Sequence, residues 1–177
     1  IAVMEKWCGD EGINVTFKFP NTDIGFSDGE LELFTSEEKK GRARMVVLRP
    51  EAMIINGVEK PISILNLIEV FGGSNPFGNG ELFYADNWAA ASPYLVESLV
   101  PGYAFPTKKV VPNSEGLGWL EQRRVIQAGE RRRTAVEAVW DTLLYYAYTG
   151  DRLLPQYDWT ASKHHDERYI RVGNFDK

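Results

Sequence analysis

Residues 129–150 read GERRRTAVEAVWDTLLYYAYTG, and the spacing of their apolar side chains decides the fold. Val136, Val139, Trp140, Leu143, Leu144 and Ala147 recur at the three-and-four interval of one helix face, with Thr134, Glu137, Asp141, Tyr145 and Tyr148 on the other side. Gly150 supplies a stop, so the pattern predicts a core-facing helix over 133–149. Arg131, Arg132 and Arg133 stand directly in front of it. A helix start carries unpaired N–H groups and the positive end of the backbone dipole, so three cations there need something negative nearby. Two readings answer that need. Glu121, Glu130 and Glu137 could pair with the arginines internally, or the arginines could receive a phosphate or carboxylate, with Arg123 and Arg124 adding charge from the preceding segment.

Upstream, the sequence reads as β-structure. Ile13, Val15, Phe17 and Phe19 alternate with polar residues, the period of a strand with one buried face. Asp28-Gly29 and Asn56-Gly57 both suit tight hairpin turns, the second being the strongest short-range hairpin signal in the chain. Between them RARMVVLR, residues 42–49, is a candidate central strand. Ile64, Leu67, Ile68 and Phe71 then shift to helical spacing behind Ser63 as N-cap. Residues 74–80 read as a loop, Pro93 to Val100 as a helix capped by Ser92, residues 102–111 as extended, 115–128 as a further helix and RYIRV, residues 168–172, as a late strand. The expected architecture is one α+β domain over 1–177: N-terminal antiparallel hairpins forming a sheet, then three to four helices and a C-terminal strand that could return to that sheet. The chain opens Ile1-Ala2-Val3 and ends just after that strand, which suggests a piece of a longer protein.

Twenty Lys+Arg against twenty-five Asp+Glu give a net charge of -5, which disfavours nucleic acid and anionic lipid as wholesale partners. No apolar run reaches the roughly 20 residues a membrane span needs. The single cysteine, Cys8, makes no internal disulfide, so a reducing, cytoplasmic setting is the simpler expectation. Cys8 itself reads as a passive thiol rather than a nucleophile.

Chemistry-bearing residues are few. His164, His165 and Asp166 in SKHHDERY are metal-ligand types, yet adjacent histidines point in different directions, which favours a polar turn. Trp159, Tyr145 and Tyr148 are candidate surface aromatics, Trp159 lying in the apparent loop QYDWT. Trp88 and Trp119 join them as possible binding aromatics, whereas Trp140 belongs to the core stripe. The chain has no GxxxxGK[ST], GxGxxG, GxSxG, HExxH or CxxC, so no cofactor is implied, although acid–base catalysis leaves no linear trace. The expectation is a non-enzymatic α+β module that binds a protein partner or a small anionic ligand through its arginines and aromatics. The alternative is a metal-dependent hydrolase or nuclease-like enzyme using His164, His165 and carboxylates.

Overall fold

The computed structural model describes residues 4–6, 9, 12–21, 29, 32, 35–36, 39, 43–71, 92–126, 130–151, 153 and 158–173. It is a mixed α+β structure of antiparallel strands and helices. β1 (Val15–Lys18), β3 (Ala52–Ile55) and β4 (Val58–Pro61) form a three-stranded sheet in the order β1-β3-β4. β3 and β4 are the expected hairpin: Asn56 and Gly57 both take positive φ, 49° and 82°, the conformation a two-residue hairpin turn requires. Alternation along β1 puts Val15 and Phe17 inward, and the Phe17 ring meets Trp140 edge-on at 5.1 Å. Such an arrangement suits the aromatic quadrupoles.

α1 (Ile64–Phe71) follows β4 at once, with Ser63 Oγ accepting from the Asn66 N–H at 3.3 Å. The long helix α2 (Ala135–Thr149) starts at a reciprocal cap: Thr134 Oγ1 accepts from Glu137 N, and Thr134 N donates to Glu137 Oε2. It ends at Gly150, whose φ of 75° lets its N–H reach back to Tyr146 O. Trp140, Val136, Leu143, Leu67, Phe71, Met53 and Met4 are fully or almost fully buried between the sheet and the two helices.

Elsewhere the chain departs from the sequence reading for identifiable reasons. Gly29, Glu32, Thr35, Ser36 and Lys39 are helical, in keeping with the helix preference of glutamate and lysine, whereas Asp28 of the expected Asp28-Gly29 hairpin lies outside the described residues. The segment 42–49 yields only β2 (Val47–Arg49), which pairs with β5 (Gly102–Ala104) in a two-stranded ladder instead of lying centrally. The expected helix from Pro93 is a single 3-10 turn, Pro93–Leu95, because Ser92 makes no side-chain cap and Leu99 N donates to Ile62 O instead of to a helical carbonyl. The described part of the expected helix over 115–128, residues 115–126, likewise holds one 3-10 turn, Glu121–Arg124, the positive φ of Asn113 and Gly116 having broken the run before it. The late strand β7 (Tyr169–Val172) does not return to the sheet; it pairs with β6 (Asp158–Lys163), a stretch that reads as loop in sequence. The loop expected over 74–80, Cys8 and Trp88 lie outside the described residues. Among the described residues no helix is long and apolar enough to cross a membrane.

Candidate functional site

The segment 130–134 is pinned to β6 by Ala161 N donating to Arg133 O, which sets the three arginines in three different surroundings. Arg131 donates from both terminal nitrogens to the Glu137 carboxylate, at 2.6 and 2.5 Å. Arg133 reaches Asp158 at 2.7 Å and Asp141 at 3.4 Å. From β2, Arg49 enters the same cluster, bidentate on Asp141 at 3.2 and 2.8 Å and on Glu137 at 2.5 Å. Three guanidiniums thus face three carboxylates, and the inner members are sealed: Arg49 is 4% exposed, Glu137 and Asp141 0%.

The electrostatics follow from that packing. Burial pushes the Glu137 carboxyl up, but hydrogen bonds from Arg131 and Thr134 and the charge of Arg49 outweigh it, holding the group below its ordinary value. Burial dominates at Asp141, which stays above its ordinary value despite Arg49 and Arg133. Burial also pushes Arg133 down, and the charges of Asp158 and Asp141 more than offset this. The helix start is therefore compensated from within. Ser162 Oγ adds to it by accepting from Ala135 N at 2.8 Å while donating to Glu97.

Arg132 points the other way. Its terminal nitrogens donate to neutral acceptors, Gln122 Oε1 and Trp119 O at 2.8 Å and Trp159 O at 3.4 Å, and its guanidinium lies 4.9 Å from the Trp119 ring centre. With no carboxylate on it, burial holds its pKa below the ordinary value, the nearby Arg123 adding to the effect. Trp119 in turn stacks on Tyr169, centroids 3.7 Å apart and planes 11° from parallel, and Lys163 Nζ sits 5.4 Å from the Tyr169 ring. The sequence is cation, indole, phenol, cation. A second pair stands beside it, Arg171 at 5.0 Å from the Trp159 ring.

Strand alternation explains why these side chains share a face. On β6–β7 the pairs Trp159↔Arg171 and Lys163↔Tyr169 are directly opposite, with a register shift between them, and they look outward. Thr160, Ser162 and His164 look inward and are buried, while Ile170 and Val172 pack on the core. Trp119 is anchored to this ribbon by its indole N–H, which donates to Thr160 O at 3.1 Å. Arg123 and Arg124 are exposed at the rim, without an ion-pair partner among the described residues.

The remaining candidates lie apart from one another. His164 and His165 occupy the turn between β6 and β7, their rings 3.8 Å apart; His164 is buried and its Nδ1 lies 3.0 Å from Asp166 Oδ1. Asp166 is also bound by Arg168, whose hydrogen bond holds its pKa well below the carboxylate range. Among the described residues no three His, Cys, Asp or Glu side chains converge on a position for one metal ion. Tyr145 is half-buried and Tyr148 is 86% exposed, both in the last turns of α2, about 15 to 20 Å from its arginine end at 1.5 Å per residue. Trp159 lies on the outer face, half-buried under Arg171.

Sequence reasoning missed Arg49, Lys163, Tyr169 and Arg171. A single arginine ending the apolar run MVVL was a usable signal for the first, since a lone charge in a buried strand calls for a buried partner. The other three required β6 to be recognised as a strand. Comparison with protein-family models, with curated proteins and with solved structures finds no match.

Proposed function

We propose that the protein is a non-enzymatic binding module that receives an anionic ligand or protein partner on the outer face of β6–β7, with Trp119, Arg132 and the rim arginines Arg123 and Arg124. The observation that carries this reading is the outward row of cations lying over aromatic rings, Arg132 on Trp119, Lys163 over Tyr169 and Arg171 over Trp159. A ring beneath a cation restricts its rotamers, so less freedom is lost when an anion arrives. Of the consecutive arginines, Arg131 and Arg133 serve the buried ionic cluster, and Arg132 braces the loop carrying Trp119.

The test is a thermal-shift series on the full chain with phosphate, sulfate, poly-glutamate and divalent metals. An anion bound at 100 times its Kd stabilises by about 2.7 kcal/mol. The reading expects stabilisation by an anion, lost with salt and lost in Arg171→Ala. Stabilisation by a divalent metal that requires His164 and His165 would favour the metal-dependent hydrolase alternative instead.

A further inference from the structure

Resting on the reading of the outer face of β6–β7 as an anion-binding surface, we infer that Glu167 is an autoinhibitory residue of that face: its carboxylate occupies Lys163 in the place an incoming carboxylate takes. The backbone carries the first observation. Residues 164–168 join β6 to β7 in a turn closed by His164 N donating to Arg168 O at 2.8 Å and Glu167 N donating to His164 O at 3.0 Å. Glu167 completes this turn at a φ of 66°, in the left-handed region where a Cβ is unfavourable and glycine is the relaxed choice. Of the three non-glycine residues with positive φ among those described, the other two are asparagines, Asn56 and Asn113, whose short polar side chain tolerates it; a glutamate has no such relief.

The second observation is where that side chain goes. Asp166, its neighbour, shapes the turn, accepting from Arg168 N at 3.2 Å and Arg168 Nε at 2.6 Å and lying 3.0 Å from His164 Nδ1. Glu167 instead reaches back to Lys163. Stability does not account for this choice. The two side chains are 78% and 42% exposed, an ion pair in that setting contributes little, and the left-handed backbone costs free energy in every folded molecule. Glycine at 167 would relieve the strain and give up little. What the carboxylate does is cover a cation of the binding face. Lys163 Nζ lies 5.4 Å from the centre of the Tyr169 ring, on which Trp119 stacks at 3.7 Å, so the ammonium stays placed when Glu167 withdraws. The bond to Glu167, and then its charge, raise the Lys163 pKa above its ordinary value, as expected of an ammonium already holding an anion. The occupant in the free protein is a carboxylate, and a ligand of the same chemistry competes with it directly. An exposed pair is weak enough to yield, yet it lowers the apparent affinity by the fraction of molecules in which Lys163 is taken.

The experiment is fluorescence anisotropy of labelled poly-glutamate with the full chain as wild type, Glu167→Gln and Glu167→Gly, together with acetylation of Lys163 read by mass spectrometry with and without poly-glutamate. Both variants are expected to bind about twofold to fivefold more tightly than wild type, the range an exposed ion pair sets. Glu167→Gly should have an unchanged or higher Tm, because glycine adopts the turn without strain. Poly-glutamate should protect Lys163 from acetylation. Tighter binding without that protection would show a long-range effect of the lost charge and overturn the autoinhibitory contact. Wild-type affinity in both variants would also overturn it and leave the binding face standing. So would a lowered Tm in Glu167→Gly, since the pair would then serve the fold. No binding of poly-glutamate to any of the three proteins at millimolar concentration would overturn both the contact and the reading on which it rests.

Discussion

Arg49 and Arg171 carry the same guanidinium and put it to opposite uses. Arg49 is sealed against Asp141 and Glu137 with every charge answered, whereas Arg171 is exposed and leans on Trp159. The first arrangement ties β2 to α2. The second sets a cation over an aromatic ring on the outer face of β6–β7. Buried charge is retained where removing one partner is costly, and exposed charge contributes little to stability, so the two regions should respond to substitution in opposite ways.

The largest effect is expected at the buried end. Arg49→Met leaves the sealed Asp141 with only the 3.4 Å contact of Arg133 and Glu137 with only Arg131 as described cation partners, and should cost about 3–5 kcal/mol, read from urea denaturation. Pairing it with Asp141→Leu should recover part of that loss, because an apolar replacement of both partners is far cheaper than an orphaned charge. A loss under about 1 kcal/mol for Arg49→Met would show that the cluster is not sealed. Next comes the cap: Thr134→Ala removes half of the reciprocal bond at the start of α2 and should cost about 1 kcal/mol by the same assay.

The pH dependence follows from Glu137. Its folded pKa lies below the ordinary 4.5, so the unfolded chain binds a proton first. The stability it contributes is full above about pH 4.5 and is lost as pH falls through the lower folded value. Asp141, held above its ordinary value by burial, contributes with the opposite sign. Comparing wild type with Glu137→Gln isolates the first group: the fall in stability between pH 6 and pH 3 should be shallower in the variant. An equal or steeper fall would contradict the assignment. The smallest stability effect is expected on the outer face, where Lys163→Ala should change the unfolding free energy by no more than about 0.5 kcal/mol.

How much of this could be read from sequence depended on whether a signal was local. The Asn56-Gly57 hairpin and the helix over 133–149 are fixed by turn chemistry, caps and periodicity within a few residues, and both stand where the pattern put them. The polar side of that helix misled. Glu137 and Asp141 read as solvent-facing, but Arg49, 88 and 92 residues away in sequence, covers them. The β6–β7 ribbon was hidden because its alternation is inverted: polar Thr160, Ser162 and His164 face inward and Trp159 outward, so apolar periodicity gave no strand. The outer-face residues could not be grouped until that ribbon existed.

The most direct test measures Tm and poly-glutamate affinity on the same samples of Arg131→Ala and Arg171→Ala. Both side chains are exposed, Arg131 at 59%, so exposure alone does not separate them; their partners do. The account predicts that Arg131→Ala lowers stability, by up to about 1 kcal/mol after solvent screening, and leaves affinity unchanged. Arg171→Ala should keep its stability and lose affinity. Loss of affinity in Arg131→Ala with Arg171→Ala unaffected would place the anion at the start of α2 and contradict the division between structural and binding arginines.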